Sequence, residues 1–161
     1  MRGRAVLLAL VAVTGIAACG FRLQGHTPLP ESLKVTYVIA RDEQTDFVQG
    51  LRRALITSGS RLSEKSEGAS GTVRIVRDEV TSKVLSVSGN NIPREYELTH
   101  TVEFSVSSPE KELLARQKVA VTRNYSFDET ALLAKENEEA ILREGMARDL
   151  VGIVMRRLSS L

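Results

Sequence analysis

The stretch Arg94-Glu95-Tyr96-Glu97-Leu98-Thr99-His100-Thr101-Val102-Glu103-Phe104-Ser105-Val106 decides the fold class, because it divides into two rows. Tyr96, Leu98, His100, Val102, Phe104 and Val106 form one row; Glu95, Glu97, Thr99, Thr101, Glu103 and Ser105 form the other. Successive side chains of a strand point to opposite faces, so this is a half-buried strand. Its apolar row faces a core and its Glu/Thr row faces away.

Working toward the C-terminus, Ser107-Ser108-Pro109-Glu110 predicts a proline-containing turn. Leu113 to Phe127 returns as a further strand through Val119, Val121 and Tyr125. Residues 129–158 read as a long helix whose apolar stripe is Leu142, Met146, Leu150, Ile153, Val154 and Leu158. Asp128 stands where a cap is wanted. Glu129, Glu136, Glu138 and Glu139 come early and Arg156 and Arg157 late, as the helix dipole prefers.

Toward the N-terminus, residues 72–88 are rich in β-branched side chains and predict a long strand, kinked near Val76 where the alternation changes phase. Gly68 to Gly71 is a turn-rich break. Thr45 is placed to cap a helix carrying Phe47, Leu51, Ala54 and Leu55 and ending near Gly59. Leu33 to Ile39 is a strand with Leu33, Val35, Tyr37 and Ile39 on one face.

The order is therefore β-α-β-β-β-α, an α+β fold. The first helix serves as a crossover between parallel strands, and the next three strands form an antiparallel meander. The expected architecture is a two-layer α/β sandwich: a four-stranded mixed sheet with two helices on one face.

A chain of 161 residues holds one ordinary domain, and 42% hydrophobic with 26% charged residues excludes a disordered tail. Arg2 and Arg4 supply the whole formal charge of +2, so residues 19–161 are formally neutral. A basic footprint for nucleic acid is missing. The lone Cys19 excludes an intramolecular disulfide and any multi-cysteine metal site.

Cys19 sits at the end of a targeting segment. Arg2 and Arg4 precede an apolar run, Ala5 to Ala18, too short to span a bilayer comfortably as a helix of ~20 residues. Ile16-Ala17-Ala18-Cys19 resembles the lipobox of bacterial lipoproteins, in which the cysteine sulfur receives a diacylglycerol and the chain is cut before it. The plain alternative is a secretory signal followed by an incidental cysteine. The division expected is a signal peptide at 1–18, a lipid-anchored tether at 19–32 and one sandwich domain at 33–161. Gly20, rather than aspartate, after the cysteine favours the outer membrane by analogy with enterobacterial sorting.

Catalytic chemistry has no constellation. His26 falls in the tether and His100 in an apolar row, where a structural histidine is the expected role. No Gly-x-Ser-x-Gly turn or glycine-rich phosphate loop is present. Glu97 and Glu103 lie six residues apart on one strand, roughly 20 Å, too far for an acid/base pair. The expectation is no enzyme, no catalytic residue, no metal and no cofactor.

Three stretches together carry a resemblance. Cys19-Gly20-Phe21-Arg22-Leu23, Arg94-Glu95-Tyr96-Glu97-Leu98 and Ala134-Lys135-Glu136-Asn137-Glu138-Glu139 are similar, in this order and on this plan, to segments of the lipopolysaccharide-assembly lipoprotein LptE family. The resemblance implies a lipoprotein anchored through Cys19 on the periplasmic side of the outer membrane. It also implies that the chain is a plug inside the β-barrel LptD, serving lipopolysaccharide insertion into the outer leaflet. Lys135 matches a family lysine implicated in lipopolysaccharide contact; the plain alternative is a solvent-facing lysine at a helix entry. A second basic contact expected before the third strand has no match in residues 88–92, and Arg94 is the nearest candidate. The Gly89–Pro93 loop is read first as a strand connection. The competing function is an auxiliary binding lipoprotein of another envelope lipid or solute transport system.

Overall fold

The computed structural model describes residues 28–126 and 132–161, the latter with side chains from residue 138 onward. Its elements are β1 (Val35–Ile39), α1 (Asp46–Thr57), β2 (Arg61–Ser63), β3 (Gly71–Val87), β4 (Pro93–Ser107), β5 (Glu112–Ser126) and α2 (Leu132–Leu158). The sheet has five strands in the order β2-β1-β3-β4-β5. β2 and β3 both run parallel to β1, whereas β3, β4 and β5 form an antiparallel meander.

The four-strand expectation thus misses β2. Three residues with only Leu62 apolar carry no readable alternation. What makes this segment a strand is the free edge of β1, which it pairs through Val35 with Arg61 and Tyr37 with Ser63. The α+β class and the mixed sheet hold.

Local chemistry explains α1 at both ends. The Thr45 hydroxyl accepts from the Val48 amide at 3.2 Å, satisfying one of the orphan donors of the first turn. At the other end Gly59 takes φ +89°, its amide donates to Ile56 and the Ser60 amide donates to Leu55, closing a Schellman motif. Between these caps Phe47, Val48, Leu51 and Leu55 are fully buried, each side chain contributing roughly 1.5–3 kcal/mol of apolar burial.

The core fills the space between one sheet face and both helices. Val38, Val73, Ile75, Val102, Phe104, Val106 and Val119 come from the sheet, and Ala147, Leu150, Val154 and Leu158 from α2. The apolar row of β4 is buried from Leu98 to Val106, and its Glu/Thr row lies on the opposite face. The expected face of β1 is corrected. Leu33 belongs to a 3-10 turn (Glu31–Leu33), and in the strand proper Thr36 and Val38 turn to the core while Val35, Tyr37 and Ile39 are only half-buried. Thr36 tolerates burial because its hydroxyl donates to the Leu33 carbonyl at 2.9 Å and meets Ser60 Oγ at 2.9 Å.

The kink expected near Val76 is a bulge. Ile75 pairs with Phe104 and Arg77 with Glu103, so Val76 is the extra residue. Beyond it the sheet continues without β1, since β1 pairs β3 only as far as Ile39 with Arg74. Among the described residues no helix is long and apolar enough to cross a membrane.

Candidate interaction surface

His100 occupies the buried row and is 4% exposed. Its Nε2 lies 2.6 Å from Asp78 Oδ1, and the other carboxylate oxygen accepts from Thr45 Oγ1 at 2.5 Å. Phe47 meets the imidazole edge-on at 6.4 Å between centroids. Ring and carboxylate therefore lock β4 to β3 and to the first turn of α1. This is the structural role expected of His100, with Nδ1 left as a buried nitrogen without a partner among the described residues.

At the far end of the long strands a smaller apolar cluster of Leu98, Tyr125 and Met146 is flanked by Val80, Tyr96, Val121 and Leu142. Tyr96 and Tyr125, opposite each other in register, stack at 5.3 Å. The Tyr125 hydroxyl donates to Glu139 Oε2 at 3.1 Å, and Arg143 holds the other carboxylate oxygen at 2.6 Å. Burial first, and then Glu139, push the Tyr125 phenol up to about 12. A group that holds its proton more tightly when folded stabilises fully below its unfolded value near 10 and loses that contribution as pH rises toward 12. In an alkaline absorbance titration the Tyr125 phenolate should form late, near pH 12. Tyr125→Phe should abolish that late step, and an unchanged titration would refute the assignment.

The same end gathers the two lysine and arginine candidates. Arg94 is exposed and lies two residues before Tyr96. Lys135 belongs to the first turn of α2, one turn and ~6 Å of rise before Glu139, which meets Tyr125. Strand register and helix contact thus bring both positions to one end of the molecule; the side chain of Lys135 lies outside the described residues. Cys19 and the expected signal peptide also lie outside them, as does the expected cap at Asp128.

Two features of this end escape sequence reasoning. Lys83, on β3, stands opposite Glu97. Val84, Leu85 and Val87, 42%, 42% and 53% exposed, lie in the last four residues of β3 before the β3–β4 loop. The only signal for them was the continuation of β-branched residues past the phase change at Val76.

The open sheet face is polar. Arg77 pairs with Glu79 and lies 3.8 Å from Glu103, which also takes the guanidinium of Arg116. Such half-exposed pairs contribute little stability, about 0–1 kcal/mol each, and mainly make the face hydrophilic and near-neutral. No group of three or more His, Cys, Asp or Glu is placed to hold a metal among the described residues.

Comparison with known proteins places this geometry. The chain is 27% identical over 160 residues to the LPS-assembly lipoproteins LptE of Yersinia pestis and Yersinia pseudotuberculosis, covering 98% of this chain and 77% of each relative. The solution structure of the uncharacterized lipoprotein B from Nitrosomonas europaea superposes with a TM-score of 0.73 at 27% identity, covering 88% of this chain and 91% of that one. The rare lipoprotein B from Shewanella oneidensis shares the fold, with a TM-score of 0.68 at 24% identity over 78% of this chain and 94% of its own. The family profile described as LptE, lipopolysaccharide-assembly, matches residues 33–158, from the turn before β1 to the end of α2. With its whole sandwich spanned by that match, this chain belongs to the LptE lipopolysaccharide-assembly family.

Proposed function

We propose that this protein is an outer-membrane lipoprotein, anchored through acylated Cys19 on the periplasmic side. It forms a complex with an LptD-type β-barrel and acts as plug and assembly partner for lipopolysaccharide insertion into the outer leaflet. The observation that carries the reading is the family match across residues 33–158. The surface is compatible with it. A formally neutral domain with a hydrophilic open face suits the polar interior of a large barrel, and binding by fit needs no catalytic group.

The test is purification of the tagged protein from detergent-solubilised outer membranes, followed by mass spectrometry. A barrel of the lipopolysaccharide-export type is the expected companion. Recovery of the lipoprotein without one would overturn the reading.

Contact with lipopolysaccharide is assigned to Lys135 and Arg94, whose cations suit lipid A phosphates. Lys135→Glu is expected to weaken lipopolysaccharide binding roughly tenfold, about 1.4 kcal/mol, with the thermal midpoint unmoved. Binding at full strength would return this lysine to the solvent.

A further inference from the structure

We propose that the distal edge of β3, residues 80–87, is a strand-addition site that takes an extended loop segment of the barrel partner. The proposal rests on the plug reading above and names where that partner attaches.

A sheet edge presents a row of backbone N–H and C=O groups that invites another strand, and proteins protect long edges with charge, bulges or cover. This sheet has two long edges. β5 forms one, and Arg116, Lys118 and Arg123 are exposed along it, with register shifts against β4 between Phe104 and Val106 and again before Ser107. It is guarded.

The other arises because β1 stops. β3 runs thirteen residues past Arg74, its last residue paired with β1, and over that length no described residue pairs with its β1 side. Where β1 ends, a cleft of about 420 Å³ opens between Ala40–Asp42 and Ile75–Glu79. Register shifts interrupt this edge too, between Ile75 and Arg77 and again between Val84 and Val87, but it carries little charge. Val76, Val84, Leu85 and Val87 are 41–53% exposed, and they make up four of the seven exposed large apolar side chains among the described residues. From Val80 onward Lys83 is the only charge on the strand.

Unpaired backbone and exposed apolar side chains on the same run specify the occupant. Backbone groups demand an extended peptide, and the exposed apolar side chains demand apolar residues on it. A strand of the barrel wall does not qualify, because closure pairs both of its edges. A loop folded into the lumen has free backbone groups and does.

Hydrogen exchange on the unsubstituted lipoprotein, alone and in its purified barrel complex, reads this directly. In the free protein, amides of residues 80–84 that point to β4 alternate with amides that face the open edge, and the first set should exchange slowly and the second fast. In the complex the fast set should slow at least tenfold, and the β5 edge should not change. Unaltered rates at 80–87 in a complex that does contain the barrel would overturn the site and leave the plug reading standing. A preparation in which no barrel accompanies the lipoprotein would defeat both.

Val84→Lys combined with Leu85→Lys places on this edge the charge that β5 carries. It should reduce barrel recovery at least tenfold, whereas Ala120→Lys on β5 should leave recovery unchanged. Undiminished recovery with the double substitution is likewise fatal to the site, and because exchange is read on the unsubstituted chain, a misfolded variant does not decide the matter.

Discussion

Asp78→Ala should cost about 3 kcal/mol of folding stability and lower the thermal midpoint by roughly 10 °C. Its side chain is 11% exposed and that of His100 5%. One carboxylate oxygen serves His100 Nε2 and the other serves Thr45. Truncation leaves a buried imidazole with neither nitrogen partnered, since Nδ1 already has none. An orphaned buried polar group costs about 1–3 kcal/mol. Thr45 retains its bond to the Val48 amide, so the helix cap survives and the loss concentrates on the imidazole. Asp78→Asn, which keeps an acceptor and the volume, should lose about half as much. Urea unfolding followed by circular dichroism measures all three proteins. A loss below about 0.5 kcal/mol for the alanine variant would show that the pair does not hold the strands to α1.

That pair also shows where the sequence was readable. The two rows of residues 94–106 are legible because both faces of β4 have settled environments, a helix-packed core on one side and water on the other. His100 reads as a core residue by its row alone, but Asp78 does not, because its partner is twenty-two positions away and known only through register. β1 is harder still. Five residues with Tyr37 and Ile39 on one face and Val38 on the other are apolar on both sides, and the deciding residue, Thr36, is polar yet buried through bonds to Leu33 and Ser60. Hydropathy ranks that face wrongly. β2 is set by tertiary pairing and has no signal of its own.

The candidate surface divides the same way. Arg94 and Lys135 are forty-one positions apart, and only the stack of Tyr96 on Tyr125, with the bond from Tyr125 to Glu139, reveals that they share an end of the molecule. The open edge of β3 is invisible in sequence, because it depends on how early β1 stops. Cys19 is the opposite case. The lipid attachment proposed for it rests entirely on residues 1–20.

Cys19→Ser should therefore have the largest effect on location with none on folding. The proposed anchor is a thioether to diacylglycerol, and a serine hydroxyl is too weak a nucleophile to replace the thiolate in that alkylation. Each buried CH₂ contributes about 0.8 kcal/mol, so one chain binds reversibly and two or three hold the protein on the bilayer. Anchoring also confines the domain near its partner at an effective concentration in the mM range, which a freely diffusing copy does not reach. In density-gradient fractionation the serine variant should leave the outer membrane, and mass spectrometry of the N-terminal peptide should show no diacylglycerol. Residues 20–161 behind an ordinary cleavable signal should be found free in the periplasm, with the thermal midpoint of the lipidated protein, because the described core is built from residues 29 onward. Outer-membrane retention of the serine variant would mean that the domain is held by its protein contacts alone, and the lipid would then serve delivery rather than attachment.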